Sequence, residues 1–292
     1  MTSRALREAF HREYMTFFER AERTRRWNVF TDLAWDRLSG SAQMADPRLV
    51  RCAETFCGVE MYLPDYLRAH LDLMRGDYGR AWFAANWGYE EAKHSLALRE
   101  YLRRSGARDD QELHDYAEAV LARRWRAPYD DGRRMTVYGA LQELTTFVIY
   151  RKQRMWAERL GDPVLPVLYR LIGRDEMAHS RFYLRMVALH MADDPDGTHA
   201  DIAYVLRTFR MPAEDLLPDY ADRIEVMRAA GIDRRVFLTE VVLPLLRALR
   251  LTRHDLPRVP AEAVAEIDGP PGLLTAAATS RAGEASTVRR AR

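Results

Sequence analysis

The chain has 292 residues, 30% of them charged and 48% apolar, and its 45 basic and 43 acidic side chains leave a net charge of +2. That balance excludes a strongly basic nucleic-acid binder and a disordered polyelectrolyte, and no apolar run approaches the roughly 18 residues of a membrane span. The N-terminal stretch Met1–Glu8 lacks the apolar core of a secretory signal, so the sequence predicts a cytoplasmic protein. Cys52 and Cys57, five apart on one predicted helix, provide neither a disulfide framework nor a thiolate metal site.

In chain order, residues 4 to 26 read as a charged amphipathic helix running into Arg25-Arg26-Trp27. An irregular segment follows, punctuated by Gly40 and by Asp46-Pro47, and Pro47 suits the first turn of a helix reaching about Met74. Phe56, Glu60, Leu63 and Leu67 share a stripe on it, so Glu60 lies in line with apolar side chains. A carboxylate buried there needs a partner or a cation; the alternative is a Glu at the stripe's edge with its oxygens in water. Pro64 predicts a kink. Helices are expected from about Arg80 to Arg104, with Trp87, Glu91, His94 and Leu98 on one side, and from Asp109 to Arg124. After a loop at Ala127–Gly132, a helix from about Arg134 to Leu160 carries Ala140, Glu143, Phe147 and Tyr150 on a face, with Thr146 a turn from Glu143. Gly161-Asp162-Pro163 breaks it, and the next helix, about Val164 to Met191, turns Ile172, Glu176, His179, Tyr183 and Met186 inward. Shorter helices are expected at about 199 to 209, 213 to 230 and 233 to 250, and strands nowhere. From Pro257 the composition shifts to Pro, Ala, Gly, Thr and Ser, predicting one domain over 1–256 and a disordered tail over 257–292.

Two of these helices carry Glu-x-x-His, at Glu91/His94 and Glu176/His179, a spacing that sets both side chains on one helix face about a turn apart. Glu8/His11 has the spacing too, but no partner. Glu60 precedes Glu91 by 31 residues and Glu143 precedes Glu176 by 33, so the order Glu, Glu-x-x-His, Glu, Glu-x-x-His repeats at nearly even intervals. Four long antiparallel helices would bring these groups together as the ligand set of a di-iron carboxylate bundle. Four carboxylates can neutralise two divalent ions, and carboxylate with imidazole suits iron or manganese alike. A reduced iron pair can activate O₂ for attack on an unactivated methylene. Thr146 is the candidate catalytic residue, its hydroxyl available to hydrogen-bond dioxygen at the metals; its alternative role is a back-bond within its own helix.

At these residues the chain resembles the soluble acyl-carrier-protein desaturases. Glu60 with Leu63-Pro64, Trp87 through His94, Gln142 through Phe147 and Asp175 through His179 match that family's motifs, and the likeness extends to Asp194–Gly197 and Met211-Pro212, covering about residues 20 to 250. The resemblance implies an all-α, ferritin-like di-iron bundle with additional C-terminal helices. It implies Glu60, Glu91, His94, Glu143, Glu176 and His179 as ligands of two iron ions, with Glu91 in preference to Glu90, and Asp175 as a partner orienting a ligating histidine. It further implies a homodimer that uses O₂ and ferredoxin-delivered electrons to place a cis double bond in a fatty acyl chain on acyl carrier protein, in an apolar channel beside the metals. An acidic carrier would dock on basic residues at the mouth of that channel, with Arg123, Arg124, Arg126, Arg133, Arg134, Arg151, Lys152 and Arg154 as candidates. Residues flanking the two histidines depart from the family pattern, which keeps open a related di-iron oxygenase, a hydroxylase or N-oxygenase of specialised metabolism acting on a carrier-bound or free substrate. An iron-storing bundle is the third reading; the helices after the fourth metal-bearing one argue against it.

Overall fold

The computed structural model describes residues 2–38, 46–217, 219–229 and 231–259. Gly40 and the predicted tail from residue 260 onward lie outside the described residues. Twelve helical segments are labelled in chain order: α1 Arg4–Arg20, α2 Pro47–Glu60, α3 Leu63–Met74, α4 Tyr78–Arg104, α5 Asp110–Leu121, α6 Gly132–Leu160, α7 Leu165–Asp193, α8 Pro195–Thr208, α9 Ala213–Leu216, α10 Tyr220–Ala229, α11 Arg234–Val236 and α12 Leu243–Ala248. No strand occurs among the described residues.

Local chemistry sets most of the boundaries. Ser3, Asp46, Asp77, Asp109 and Asp131 each accept a backbone N–H of the helix they precede, and Gly161 ends α6 in the left-handed conformation at φ 74°. The kink expected at Pro64 is a full break. α2 stops at Glu60, Met61 and Tyr62 turn, and α3 restarts with Pro64 in its first turn, where the missing N–H costs nothing. The single helix expected over 213–230 is two helices, because Leu217, which precedes Pro218, is extended (φ −94°, ψ 128°). α1 continues through a wide π turn at Ala21–Arg25, closed by Arg26 N–H donating to the Ala21 carbonyl, before the backbone extends at Arg26. That extra residue per turn rotates Arg25 and Trp27 towards the bundle.

α2, α4, α6 and α7 form the four-helix core, with α6 and α7 as its most intimate antiparallel pair. α1 covers α4 and α7, while α10 lies on α2 and the π segment Phe237–Val242 lies on α6. The apolar core falls into two halves. Phe83 and Trp87 of α4, Leu144 and Val148 of α6 and Phe182 of α7 belong to one; Ala97, Leu98, Tyr150, Leu171 and Ile172 belong to the other. Between them runs a buried polar layer of Glu60, Glu90, Glu91, His94, Glu143, Asp175, Glu176 and His179.

Close approach of α1 to α4 depends on Gly79, where an added Cβ would stand 2.7 Å from the His11 Cα and N atoms. Backbone cannot rotate away as a side chain can. Gly79→Ala is therefore expected to destabilise the fold by about 1–3 kcal/mol, read as a lower midpoint in chemical denaturation with unchanged slope.

Candidate metal centre

The polar layer brings together all six residues that the motif spacing singled out. They fall into two overlapping sets, Glu60, Glu91, His94 and Glu176, and Glu91, Glu143, Glu176 and His179. Within each set one ligand atom per residue lies within 4.8 Å of the others. Glu91 and Glu176 belong to both sets. Such an arrangement can hold two ions side by side, each with its own carboxylate and imidazole and two carboxylates shared.

Orientation of the histidines fits this use. His94 Nδ1 lies 3.2 Å from Glu176 Oε1 and 3.8 Å from Glu91 Oε1; His179 Nδ1 lies 3.2 Å from Glu91 Oε1 and 3.2 Å from Glu143 Oε2. Both Nδ1 atoms thus face the carboxylates. Both Nε2 atoms face outward to other acids: His94 Nε2 is 3.3 Å from Asp175 Oδ2 and His179 Nε2 is 2.6 Å from Glu90 Oε2. An Nε2–H held by a carboxylate leaves the Nδ1 lone pair free for a metal ion. Glu91 Oε1, Glu176 Oε1 and His94 Nδ1 are buried and have no hydrogen-bond partner. Buried polar atoms left orphaned around a common centre are what a bound cation would satisfy.

The remaining contacts hold the carboxylates in place. Tyr150 Oη–H donates to Glu60 Oε1 at 2.9 Å, and the Trp87 indole N–H donates to Glu143 Oε1 at 3.2 Å. Asp175 accepts from the Trp27 indole N–H at 2.7 Å and from Arg25 Nη1 at 2.6 Å, and the same Nη1 donates to Glu90 Oε2 at 2.9 Å. Arg26 also donates to Glu90. Burial works against the charge on Asp175 and Glu90, but the facing histidines and Arg25 outweigh it and hold both carboxyls below the usual range.

Asp175 meets the His94 ring, as the motif comparison implied, while Glu90 does the same for His179 and was passed over. Each motif's acid, one residue before the shared glutamate, reaches across to the other motif's histidine. The doublets Glu90-Glu91 and Asp175-Glu176 were the available signal. Arg25, which ties the two acids together, has no motif to announce it. Thr146 Oγ1–H is spent on the Gln142 carbonyl at 2.9 Å, the back-bond that was its alternative role. Of the basic docking candidates, Arg133 and Arg134 pair with Asp201, Arg151 and Lys152 with Glu240 and Arg154 with Glu158. Arg123, Arg124 and Arg126 are exposed. Beside the Trp87 end of the layer, between His70, Met74, Phe83, Tyr183 and Met186, is a cavity of about 10 Å³, room for about one water.

The sequence matches the fatty acid desaturase family over residues 40–256. It is 27% identical over 203 residues to DesA1 of Mycobacterium tuberculosis, a protein that bears an acyl-acyl-carrier-protein desaturase name, covering 66% of this chain and 59% of that one. With the chloroplastic stearoyl-acyl-carrier-protein 9-desaturase 6 of Arabidopsis thaliana it shares 30% identity over 223 residues, 72% of this chain and 56% of the relative. The chain therefore spans less than two thirds of the length of these relatives. Among solved structures, DesA2 of M. tuberculosis H37Rv superposes with a TM-score of 0.57 at 22% identity, covering 85% of this chain and 100% of that one. An R2-like ligand-binding oxidase from Sulfolobus acidocaldarius does so with a TM-score of 0.52 at 14% identity, covering 84% and 94%. These likenesses identify the fold as an all-α ferritin-like bundle carrying additional C-terminal helices.

Without cations the layer must hold protons. Burial, then the facing carboxylates, pushes Glu91 and Glu176 well above the ordinary glutamate range; for His179, burial pulls the other way but Glu143 and Glu90 prevail and hold it up at about 9. These surroundings favour the protonated forms in the metal-free protein, and a bound cation must displace the protons held there. Anaerobic titration with Fe²⁺ in weak buffer at pH 7 should thus release protons, and apparent affinity should fall as pH drops, by about tenfold per unit for each proton displaced. Affinity that is flat between pH 8 and 6 would contradict this arrangement.

Proposed function

The chain belongs to the fatty acid desaturase family, and from that premise we propose that it is an O₂-dependent di-iron enzyme that introduces a cis double bond into a fatty acyl chain carried on acyl carrier protein. The observation that carries this reading is the pair of overlapping carboxylate and histidine sets sharing Glu91 and Glu176. Glu60, Glu91, His94, Glu143, Glu176 and His179 would hold the two irons, with Glu91 and Glu176 common to both sets. When bound, the iron pair supplies the oxidising power from O₂ that removal of hydrogen from a methylene requires.

The chain's own residues do the rest. Asp175 and Glu90 fix the ring orientations of His94 and His179 and keep their Nε2–H protons in place. Arg25, Glu90 and Asp175 close the backs of the histidines, so an acyl chain would approach from the Trp87 side. Met74 and Met186, flexible side chains at the small cavity there, would yield to admit it. Thr146, a turn beyond Glu143, would act through its hydroxyl, which can leave the Gln142 carbonyl to donate a hydrogen bond within the site. The exposed Arg123, Arg124 and Arg126, on the loop after α5, suit an acidic carrier. A homodimer would form along α4, where Trp82, Tyr89 and Leu96 recur every seven residues and stand 53%, 58% and 57% exposed.

The decisive assay is a single turnover. Iron-loaded, chemically reduced protein is mixed with O₂ and a panel of acyl-carrier-protein thioesters, and products are read by mass spectrometry. Loss of two hydrogens from an acyl chain is expected. Gain of an oxygen atom would instead favour the oxygenase reading that the altered motif flanks leave open. In the same assay Glu176→Ala should lose both irons, whereas Thr146→Val should keep both and turn over about tenfold more slowly or worse. Sedimentation should find a dimer that Leu96→Glu converts to monomer; an unchanged dimer would remove the α4 face from this account.

A further inference from the structure

His70 of α3 is buried beside the metal layer without belonging to it. Its ring centroid lies 5.1 Å from that of Trp87, whose indole N–H holds Glu143, and 6.4 Å from that of Tyr183. Its Nδ1 lies 2.9 Å from the Tyr66 carbonyl oxygen, which can only accept, so Nδ1 carries the ring hydrogen. Burial draws the pKa of the ring below the ordinary histidine value, outweighing the Tyr66 carbonyl and Glu143, and a neutral ring leaves Nε2 as a bare lone pair. Nε2 is buried and has no hydrogen-bond partner among the described residues.

His70 lines the cavity of about 10 Å³, and the other polar side chains of that wall are engaged elsewhere. Arg80 Nε donates to Asp77 Oδ2 at 2.7 Å, its Nη1 lies 3.4 Å from His190 Nε2, and its guanidinium stands over the Phe10 ring. Thr136 Oγ1–H donates to the Gly132 carbonyl at 2.7 Å, and the Tyr183 ring is pressed against Gly139. Of the polar atoms in this wall, only His70 Nε2 is both buried and unpartnered among the described residues. Met74, Phe83 and Met186 make the wall apolar elsewhere. A water here would have one strong acceptor, whereas a buried water ordinarily holds about two to four polar partners. A hydroxyl on a carbon chain has the same size, needs one acceptor for its one hydrogen, and brings apolar carbon to the apolar wall.

We propose that His70 selects the substrate, its Nε2 accepting the hydrogen of a hydroxyl group carried on the acyl chain close to the methylenes that react. The proposal rests on the desaturase reading for the entry of an acyl chain past Met74 and Met186. Trp87 sets the position of the hydroxyl: the indole on which His70 packs holds Glu143, so a group at Nε2 is one side chain removed from the metal ligands. The hydroxyl is bound and not transformed; no bond to its oxygen forms or breaks. A chain of methylenes alone would leave Nε2 bare in a dry wall, and that lost pairing is what discriminates against it.

Iron-loaded, chemically reduced protein kept free of O₂ is titrated by calorimetry with acyl-carrier-protein thioesters of one chain length, each bearing a single hydroxyl at a different carbon, and with the unsubstituted thioester. One hydroxyl position should bind tighter than the unsubstituted chain by about tenfold or more. His70→Phe keeps a ring against Trp87 but removes the acceptor, and should bring that ratio to within about twofold of unity. His70→Gln, whose amide oxygen can accept, should retain a preference. The ratio is read within each variant, so a change in folded fraction cancels. Wild-type protein that binds every hydroxylated thioester like the unsubstituted one would overturn the proposal and leave a structural water as the partner of Nε2. So would a preference that survives undiminished in His70→Phe. Failure of the desaturase reading appears separately, as a hydroxyl preference in binding with no loss of two hydrogens when O₂ is admitted.

Discussion

Four glutamates and two histidines facing one another in a dry interior are the constraint on which the rest of this molecule depends. Buried carboxylates repel at these distances, and each would take up a proton or draw in water unless countered. The fold answers with geometry: every one of the six is on a long helix of the central bundle, and apolar halves above and below keep solvent out. What remains unsatisfied, the inward atoms of Glu91, Glu176 and His94, is a set of lone pairs converging on space that cations would fill. The arrangement is costly to the metal-free protein and is therefore informative about the loaded one.

The site has a near two-fold character that crosses between its halves. Asp175 of α7 serves the histidine of α4, and Glu90 of α4 serves the histidine of α7. Because each acid belongs to one motif and acts on the other, the histidines are oriented only once α4 and α7 are packed. Arg25 then locks the two acids with one nitrogen, which makes the π turn at the end of α1 part of the buried polar layer. Folding of the periphery and preparation of the centre are the same event.

Much of this was legible in the chain. The 3.6-residue period located the long helices, and the Glu-x-x-His spacing with its two upstream glutamates named all six residues of the cluster. Residues that depend on how helices cross were not legible: Glu90 looked like a spare neighbour of Glu91, and Arg25 like one more charge on an amphipathic helix. Prolines were read in kind but not in extent, since Pro64 ends one helix and starts another, and Pro218 splits a predicted helix by forcing Leu217 to extend. The basic residues favoured for partner docking were chosen by clustering in sequence, whereas ion pairing in three dimensions occupies five of the eight, and an arginine-lined groove is assembled from α1 and the much later pair α6 and α7.

Mössbauer spectroscopy of the protein loaded with ⁵⁷Fe tests the central claim most directly. The account predicts two irons per chain whose oxidised form is a diamagnetic, antiferromagnetically coupled ferric pair, as two ions sharing Glu91 and Glu176 require. A single iron per chain, or two that behave as isolated paramagnetic ions, would contradict it.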